Sequence, residues 1–303
     1  MTAIPVSFVV PTRMRMEQVV DLLRSIAAQT IPAETLIMDD AGSADLQHVL
    51  ARDFPSVRYH CVATGRGPAF QRNRGIEMAA GEIVFPLDDD TRLPSPRTVA
   101  QTLADFSDRR VAAVAVPYVN VRGDDRIRHR APDTDAIWVE HAFTGASHAI
   151  RRAAFLAAGG YREHFFYMGE EGDLCLRLLA LGYVVRAGTA DPIHHFESPL
   201  RDSALADFCG RRNDILFAWH NVPARSLPIH LAGTTWNGFI CALQASHRWS
   251  ALKGMLDGYA QIPARWNARR PVTTRTYQLH RLLKKRGPVR LDAIRSALPP
   301  QTC

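Results

Sequence analysis

Short apolar runs alternate with stretches of helical period along the first 117 residues. Residues 6–10 form an apolar run closed by Pro11, which predicts a buried first strand. Residues 16–29 place Val19, Val20, Leu22, Leu23 and Ile26 on one helical face, and Thr30-Ile31-Pro32 ends that helix. Strands are predicted at 35–38, 57–62, 82–87 and 111–116, with helices at 44–52 and 68–80 between them. A further helix is expected to open with Ser95 as its cap and Pro96 at its first position. Strand and helix alternate with short links, so the fold class is α/β, a Rossmann-like, mostly parallel, doubly wound sheet.

The pattern loosens after residue 117. Residues 118–136 are polar and charge-rich and read as a mobile loop or irregular strands, whereas 142–150 turn apolar and small. A helix over 151–158 is stopped by Gly159-Gly160, and another runs from Glu170 to Leu181, closed by Gly182. Residues 183–186 give a last strand, with His194-His195 expected past its end. Beyond residue 202 the period is helical, with aromatics interleaved over 236–259. The chain divides into 1–117, 118–205 and a helical C-terminal extension, 206–303.

Charge narrows the partners. The net charge of +7 and pI near 9.5 suit an anionic partner: sugar nucleotide, phospholipid surface or nucleic acid. Nucleic acid ranks last, because no reading module accompanies the charge. After Gln261, ten Lys/Arg face one acidic residue, Asp292. Five scattered cysteines without a CxxC pair argue against a disulfide framework or zinc site and for a reducing compartment. Met1–Pro5 enters a strand without a signal segment, and no apolar run reaches the ~20 residues needed to span a bilayer. The expected location is cytoplasmic, with a peripheral place on the inner membrane face as a further reading.

The candidate chemistry lies just past strand ends. Asp88-Asp89-Asp90 puts three like charges at a strand exit, where a hard divalent ion, Mg2+ or Mn2+, would neutralise them; a solvated acidic turn is the alternative. Ligands of open α/β sheets collect outside the carboxyl ends of the strands, where Thr12, Arg13, Asp39 and Asp40 also fall. Glu170 and Glu171 begin a helix, which favours their ionised forms; either could serve as general base or merely complement the dipole. Asp173 and Arg177 are four apart and can pair. His194 or His195 could complete a metal shell. Gly65-Arg66-Gly67 reads as a turn, and Arg72 as a phosphate contact or part of a surface cluster.

In this order the segments VSFVVPT (6–12), IMDDAGSAD (37–45), QRNRGIEMAAGEIVFPLDDDT (71–91), FTGASHAIRRAAFLAAGGYRE (143–163), GEEGDLCLRLLALGY (169–183) and HHFESPLR (194–201) resemble the family 2 glycosyltransferases, inverting enzymes of the GT-A fold. The resemblance implies metal-dependent transfer from a nucleotide-diphosphate sugar to an acceptor hydroxyl, in polysaccharide, glycolipid or other glycoconjugate synthesis. It makes 1–205 the catalytic domain, with the donor bound by 1–117 and the acceptor and base carried by 118–205. Pro11, Thr12, Arg13, Asp40 and Arg72 become donor contacts. The DxD motif places Asp88 toward the ribose, Asp89 beside it and Asp90 on the metal. Glu171 is the expected base with Glu170 as alternate, and His195 the metal-facing histidine with His194 as fallback. Asp173, Arg177 and Gly145 are assigned to acceptor or structural support, and 118–136 to a lid. The sequence departs from the family at the base, usually aspartate, at Thr91, and at Tyr161-Arg162. A sugar-phosphate nucleotidyltransferase would need a Gly-rich, lysine-bearing loop where Pro11-Thr12-Arg13-Met14 stands. An inactive sugar-nucleotide or glycan-binding protein is the non-enzymatic rival. The basic C-terminal third reads either as a solvated cap or as a contact with anionic membrane, through Trp236, Phe239, Trp249 and Trp266 and the arginines around them.

Overall fold

The computed structural model describes residues 6–40, 42–62, 65–197 and 202–301. The Met1–Pro5 segment and the Ser198–Arg201 end of the last motif lie outside the described residues. Strands Val6–Thr12 (β1), Glu34–Asp39 (β2), Arg58–Cys61 (β3) and Ile83–Pro86 (β4) alternate with helices Met16–Ala27 (α1), Ala44–Asp53 (α2) and Pro68–Met78 (α3). There follow Thr91–Arg92 (β5), Thr98–Ala104 (α4), Val111–Ala115 (β6), Tyr118–Asn120 (β7), Trp138–Glu140 (β8), His148–Arg151 (β9), Arg152–Ala157 (α5), Glu170–Ala180 (α6), Val184–Ala187 (β10) and Ile193–His195 (β11). The chain then runs through Ser203–Asn221 (α7), Leu227–Gln244 (α8), Arg248–Ala260 (α9), Thr274–Arg286 (α10), Val289–Arg290 (β12) and Leu291–Ile294 (α11).

Nine strands form one sheet in the order β12-β8-β10-β6-β9-β4-β1-β2-β3, and β5, β11 and β7 form a second. β1 pairs in parallel with β2 and β4, β2 with β3, and β6 with β10. The carboxyl ends of β1, β2 and β4 therefore lie side by side, where Thr12, Asp40 and Asp88 follow. Strand β9 is the piece the pattern hid. It inserts antiparallel between β4 and β6, and its small apolar residues carry no period of their own. Phe8 and Val10 of β1 pack into one buried layer with Leu22 and Leu23 of α1, while Val9 faces the other layer with Ile76 of α3. Gly75 lets α3 lie close against β1, since a Cβ there would come within 2.3 Å of Val9 Cγ1.

Several local expectations shift. Ser95 does not cap a helix: its Oγ accepts from the Arg97 amide and donates to Asp191, in a turn before α4 begins at Thr98. His194 and His195 stand within β11 rather than past a strand end. Residues 118–136 are irregular strand, anchored by β7 and by backbone bridges from Tyr118 to Arg128 and from Arg130 to Gly188. Gly65-Arg66-Gly67 is not a regular turn but an irregular link into α3, and its Arg66 and Gly67 amides donate to Asp40.

Part of the C-terminal third packs on the sheet. Helix α10 buries Tyr277, Leu279 and Leu283 in the main core, and β12 pairs antiparallel with β8 at the sheet edge. Apolar residues on 274–298 thus complete the sheet that a boundary at residue 205 would leave open. Helices α7, α8 and α9 stand outside that sheet. There α9 lies backbone to backbone on α7, because a Cβ on Gly254 would meet Phe208 O at 2.1 Å and one on Gly258 would meet Arg212 O at 2.8 Å. Among the described residues no helix is long and apolar enough to cross a membrane.

Candidate active site

The acidic run leaves β4 in a tight turn. Thr91 donates both its amide and its hydroxyl to Asp88 O, and this turns the chain into β5. β5 pairs with β11 so that Thr91 faces His195, and the Phe196 amide donates to Asp90 O. The pairing brings Asp88, Asp90 and His195 together, each offering one ligand atom within 4.8 Å of the others. His195 Nε2 lies 3.3 Å from Asp90 Oδ1, and that buried oxygen has no hydrogen-bond partner. Burial opposes the imidazolium, but Asp90, Asp88 and Glu197 together raise the His195 pKa above its ordinary value. His194, its neighbour in a strand, projects to the other face and is not part of the group.

Two carboxylates and an imidazole make a donor set suited to a divalent ion such as Mn2+ or Mg2+, and an orphaned buried oxygen fits the same role. Asp89 turns the other way. It accepts from Thr12 Oγ1 at 2.7 Å and from Arg15 Nη1 at 2.9 Å, and burial pushes its pKa up to about 6. Arg15 also reaches Asp90 Oδ2 at 3.2 Å and lines a cleft of about 340 Å³ with Asp90, Arg122 and Phe196. Nothing in the Arg13-Met14-Arg15 sequence distinguishes this arginine from a solvated one.

Arg72 is not part of a surface cluster. Only 4% exposed, it pairs with Asp88 through Nη2 and with Glu170 Oε1 through Nη1 at 3.3 Å. It thus joins the Asp88 end of the site to the glutamates. Burial, then the neighbouring Glu171, pushes the Glu170 pKa up to about 8. Glu171 is partly exposed and accepts from the Gly145 amide; burial raises its pKa too, against the pull of Arg72. A Cβ at Gly145 would lie 2.5 Å from Glu171 Oε1 and 3.1 Å from Arg72 Nη2. Gly145→Ala is therefore expected to displace the Glu171 carboxylate and lower turnover by about tenfold or more, with the thermal midpoint nearly unchanged. Equal losses of activity and midpoint would show that the glycine serves folding.

The glutamates are aimed by strained backbone held from α7. Phe166 (φ 61°), Met168 (φ 71°) and Gly169 (φ 84°) precede α6, and Asn213 points its amide at the Phe165, Tyr167 and Met168 carbonyls. Asp173 lies at the centre of a buried ion-pair cluster. Fully buried, it binds Arg162 Nε (3.0 Å), Arg177 Nη2 (2.8 Å) and Asn221 Nδ2 (2.7 Å), and Arg177 Nη2 goes on to Gly160 O. Burial opposes its charge, but Arg177 and Arg162 hold its pKa below the ordinary carboxylate range. Asp173→Ala leaves two arginines unpaired, each with a side chain less than a fifth exposed, so urea unfolding should show a loss of about 3 kcal/mol. A loss below about 1 kcal/mol would exclude this anchoring role.

Asp40 sits at the end of β2, with Oδ1 accepting from the Arg66 amide and from Gln71 and Oδ2 from the Gly67 amide. Pro11 and Thr12 are buried in β1, and Arg13 is exposed at its end.

The sequence profile of glycosyl transferase family 2 matches residues 7–163. A glucosyl-dolichyl phosphate glucuronosyltransferase of Haloferax volcanii is 27% identical over 187 residues, which are 54% of this chain and 59% of that protein. The match thus spans less than two thirds of that relative's length. A mannosyltransferase from Pyrobaculum calidifontis, solved with GDP-Man and Mn2+, superposes at a TM-score of 0.58 with 20% identity, covering 93% of this chain and 79% of the other. TarS residues 1–349 from S. aureus, solved with UDP-GlcNAc, gives a TM-score of 0.62 at 15% identity, covering 96% of this chain and 90% of the other. At these identities the structural likeness concerns the fold.

Proposed function

The chain belongs to glycosyl transferase family 2, and from that premise we propose that it moves a sugar, with inversion, from a nucleotide-diphosphate donor to an acceptor hydroxyl. The observation that carries this reading is the single constellation of Asp88, Asp90 and His195, linked through Arg72 to Glu170 and Glu171. A divalent ion bound by the first three would supply positive charge against the donor diphosphate. Residues 1–117 contribute the donor side in this reading, with Pro11, Thr12, Asp40 and Asp88 at the carboxyl edge of the sheet. Residues 118–205 contribute the base and the acceptor side.

Glu171 is the group that takes the acceptor proton. It is partly exposed, whereas Glu170 is buried against Arg72, where burial favours its protonated form. As Glu171 removes the proton, the acceptor oxygen bonds to the anomeric carbon. The bond from that carbon to the diphosphate oxygen breaks on the opposite face, and the nucleoside diphosphate leaves. Arg72 fixes Asp88 and Glu170 in place, and Asn213 holds the backbone that aims α6. The relative's name, which includes dolichyl phosphate, makes a lipid-linked acceptor the class to try first.

The test is a donor-hydrolysis screen of UDP-, GDP- and dTDP-sugars with Mn2+, Mg2+ or EDTA, read as released nucleoside diphosphate. Release from one donor that depends on metal supports the reading. No release and no calorimetric donor binding under any condition would overturn it.

A further inference from the structure

Nine of the fifteen exposed large apolar side chains among the described residues lie between Ile229 and Trp266. On α8, Ile229, Trp236 and Leu243 are 78%, 66% and 57% exposed and recur every seven residues, so they share one face. On α9, Trp249 and Leu256 repeat that spacing at 72% and 71% exposure, and Trp266 follows at 66%. The inner sides of these helices are occupied: Ala251, Gly254 and Gly258 of α9 face α7, and Gly238 of α8 meets Met255. The apolar stripe is therefore turned away from the protein. Aqueous burial of such surface is favourable wherever a partner is supplied.

The charge around the stripe selects the partner. Residues 215–256 contain no Asp or Glu, while Arg225, Arg248 and Lys253 lie among them, all exposed. Aromatic rings with basic neighbours and a single acid between Ile229 and Trp266, Asp257, match the interface of a negatively charged bilayer, where indoles sit at headgroup depth and cations meet lipid phosphates. Among the described residues no helix is long and apolar enough to cross, so the contact proposed is one of lying on the surface. We propose that the outer face of α8 and α9, with Trp266, docks on an anionic lipid bilayer. The basic tail after Gln261 is not the anchor, because α10 and β12 are built into the catalytic core. The docking stands on this face alone and is independent of the chemistry at Glu171.

The experiment is vesicle co-sedimentation of the full chain, with phosphatidylcholine alone and with phosphatidylcholine mixed with phosphatidylglycerol. The wild type is expected to bind the mixed vesicles, with tryptophan emission shifted to the blue and quenched by brominated lipid. Trp236→Ser/Trp249→Ser should bind about tenfold or more weakly, and Arg248→Glu/Lys253→Glu should lose the preference for phosphatidylglycerol. Both variants should melt at the wild-type temperature, since the altered side chains are exposed. No wild-type binding overturns the proposal, as does unchanged binding by both variants. A dimer in size exclusion that the tryptophan variant dissolves would overturn it too, by assigning the face to a second copy. Donor hydrolysis without vesicles separates the two readings. Hydrolysis without docking removes only the membrane face, and docking without hydrolysis removes only sugar transfer.

Discussion

Asp90→Ala is expected to cut metal-dependent transfer by about 10³-fold while the protein still folds. Asp90 contributes the one buried oxygen of the ligand group that has no hydrogen-bond partner, and its loss leaves only Asp88 and His195 to hold the ion. The other contacts made by Asp90 are replaceable: Arg15 keeps Asp89 at 2.9 Å. Calorimetry should show metal affinity lost together with turnover, and excess Mn2+ should restore only part of the rate. A variant with rates within about tenfold of wild type and an unchanged metal titration would remove Asp90 from the ligand set. His195→Ala should act in the same direction, whereas His194→Ala should leave the metal titration where it was.

Glu171→Gln should lower kcat by about 10²- to 10⁴-fold with donor affinity retained, because the amide keeps the shape of the side chain and loses the proton acceptor. Glu170→Gln should cost less, since Glu170 is 2% exposed and its role is to hold Arg72. If Glu170→Gln proves the more damaging, the two roles must be exchanged. The pH profile gives a second check. Burial raises the Glu171 pKa above the ordinary carboxylate value of 4.5, so the active, ionised form is lost as pH falls, at a midpoint above 4.5. The acid limb should be present in wild type and absent from the residual activity of Glu171→Gln.

Much of this arrangement was legible in the sequence, for an identifiable reason. β1, β2 and β4 carry continuous apolar runs with turn residues at their ends, and the Asp88–Asp90 cluster follows the last of them directly. The GT-A fold expected from the resemblance is the fold the structure has. What escaped was set by pairing across distance. β9 has too few residues to show a period, and its antiparallel placement depends on neighbours β4 and β6, each far off in the chain. Asn213 and Asn221 read as ordinary polar positions of a helix, yet one holds the loop before Glu170 and the other closes the shell around Asp173. His194 and His195 could not be told apart until the register of β11 against β5 was known. Arg72 was open between surface and site because burial by α6 and β9 is a tertiary fact.

The glycine contact between α7 and α9 has a mechanical side. At Gly254 and Gly258 no Cβ of α9 stands between it and the α7 backbone, so the two helices pack as close as their main chains allow. The same α7 carries Asn213, one residue from the Gly258 contact, whose amide donates to the Phe165, Tyr167 and Met168 carbonyls before Glu170. Any side chain larger than glycine at 254 or 258 would have to push α7, and Asn213 with it, away from α9.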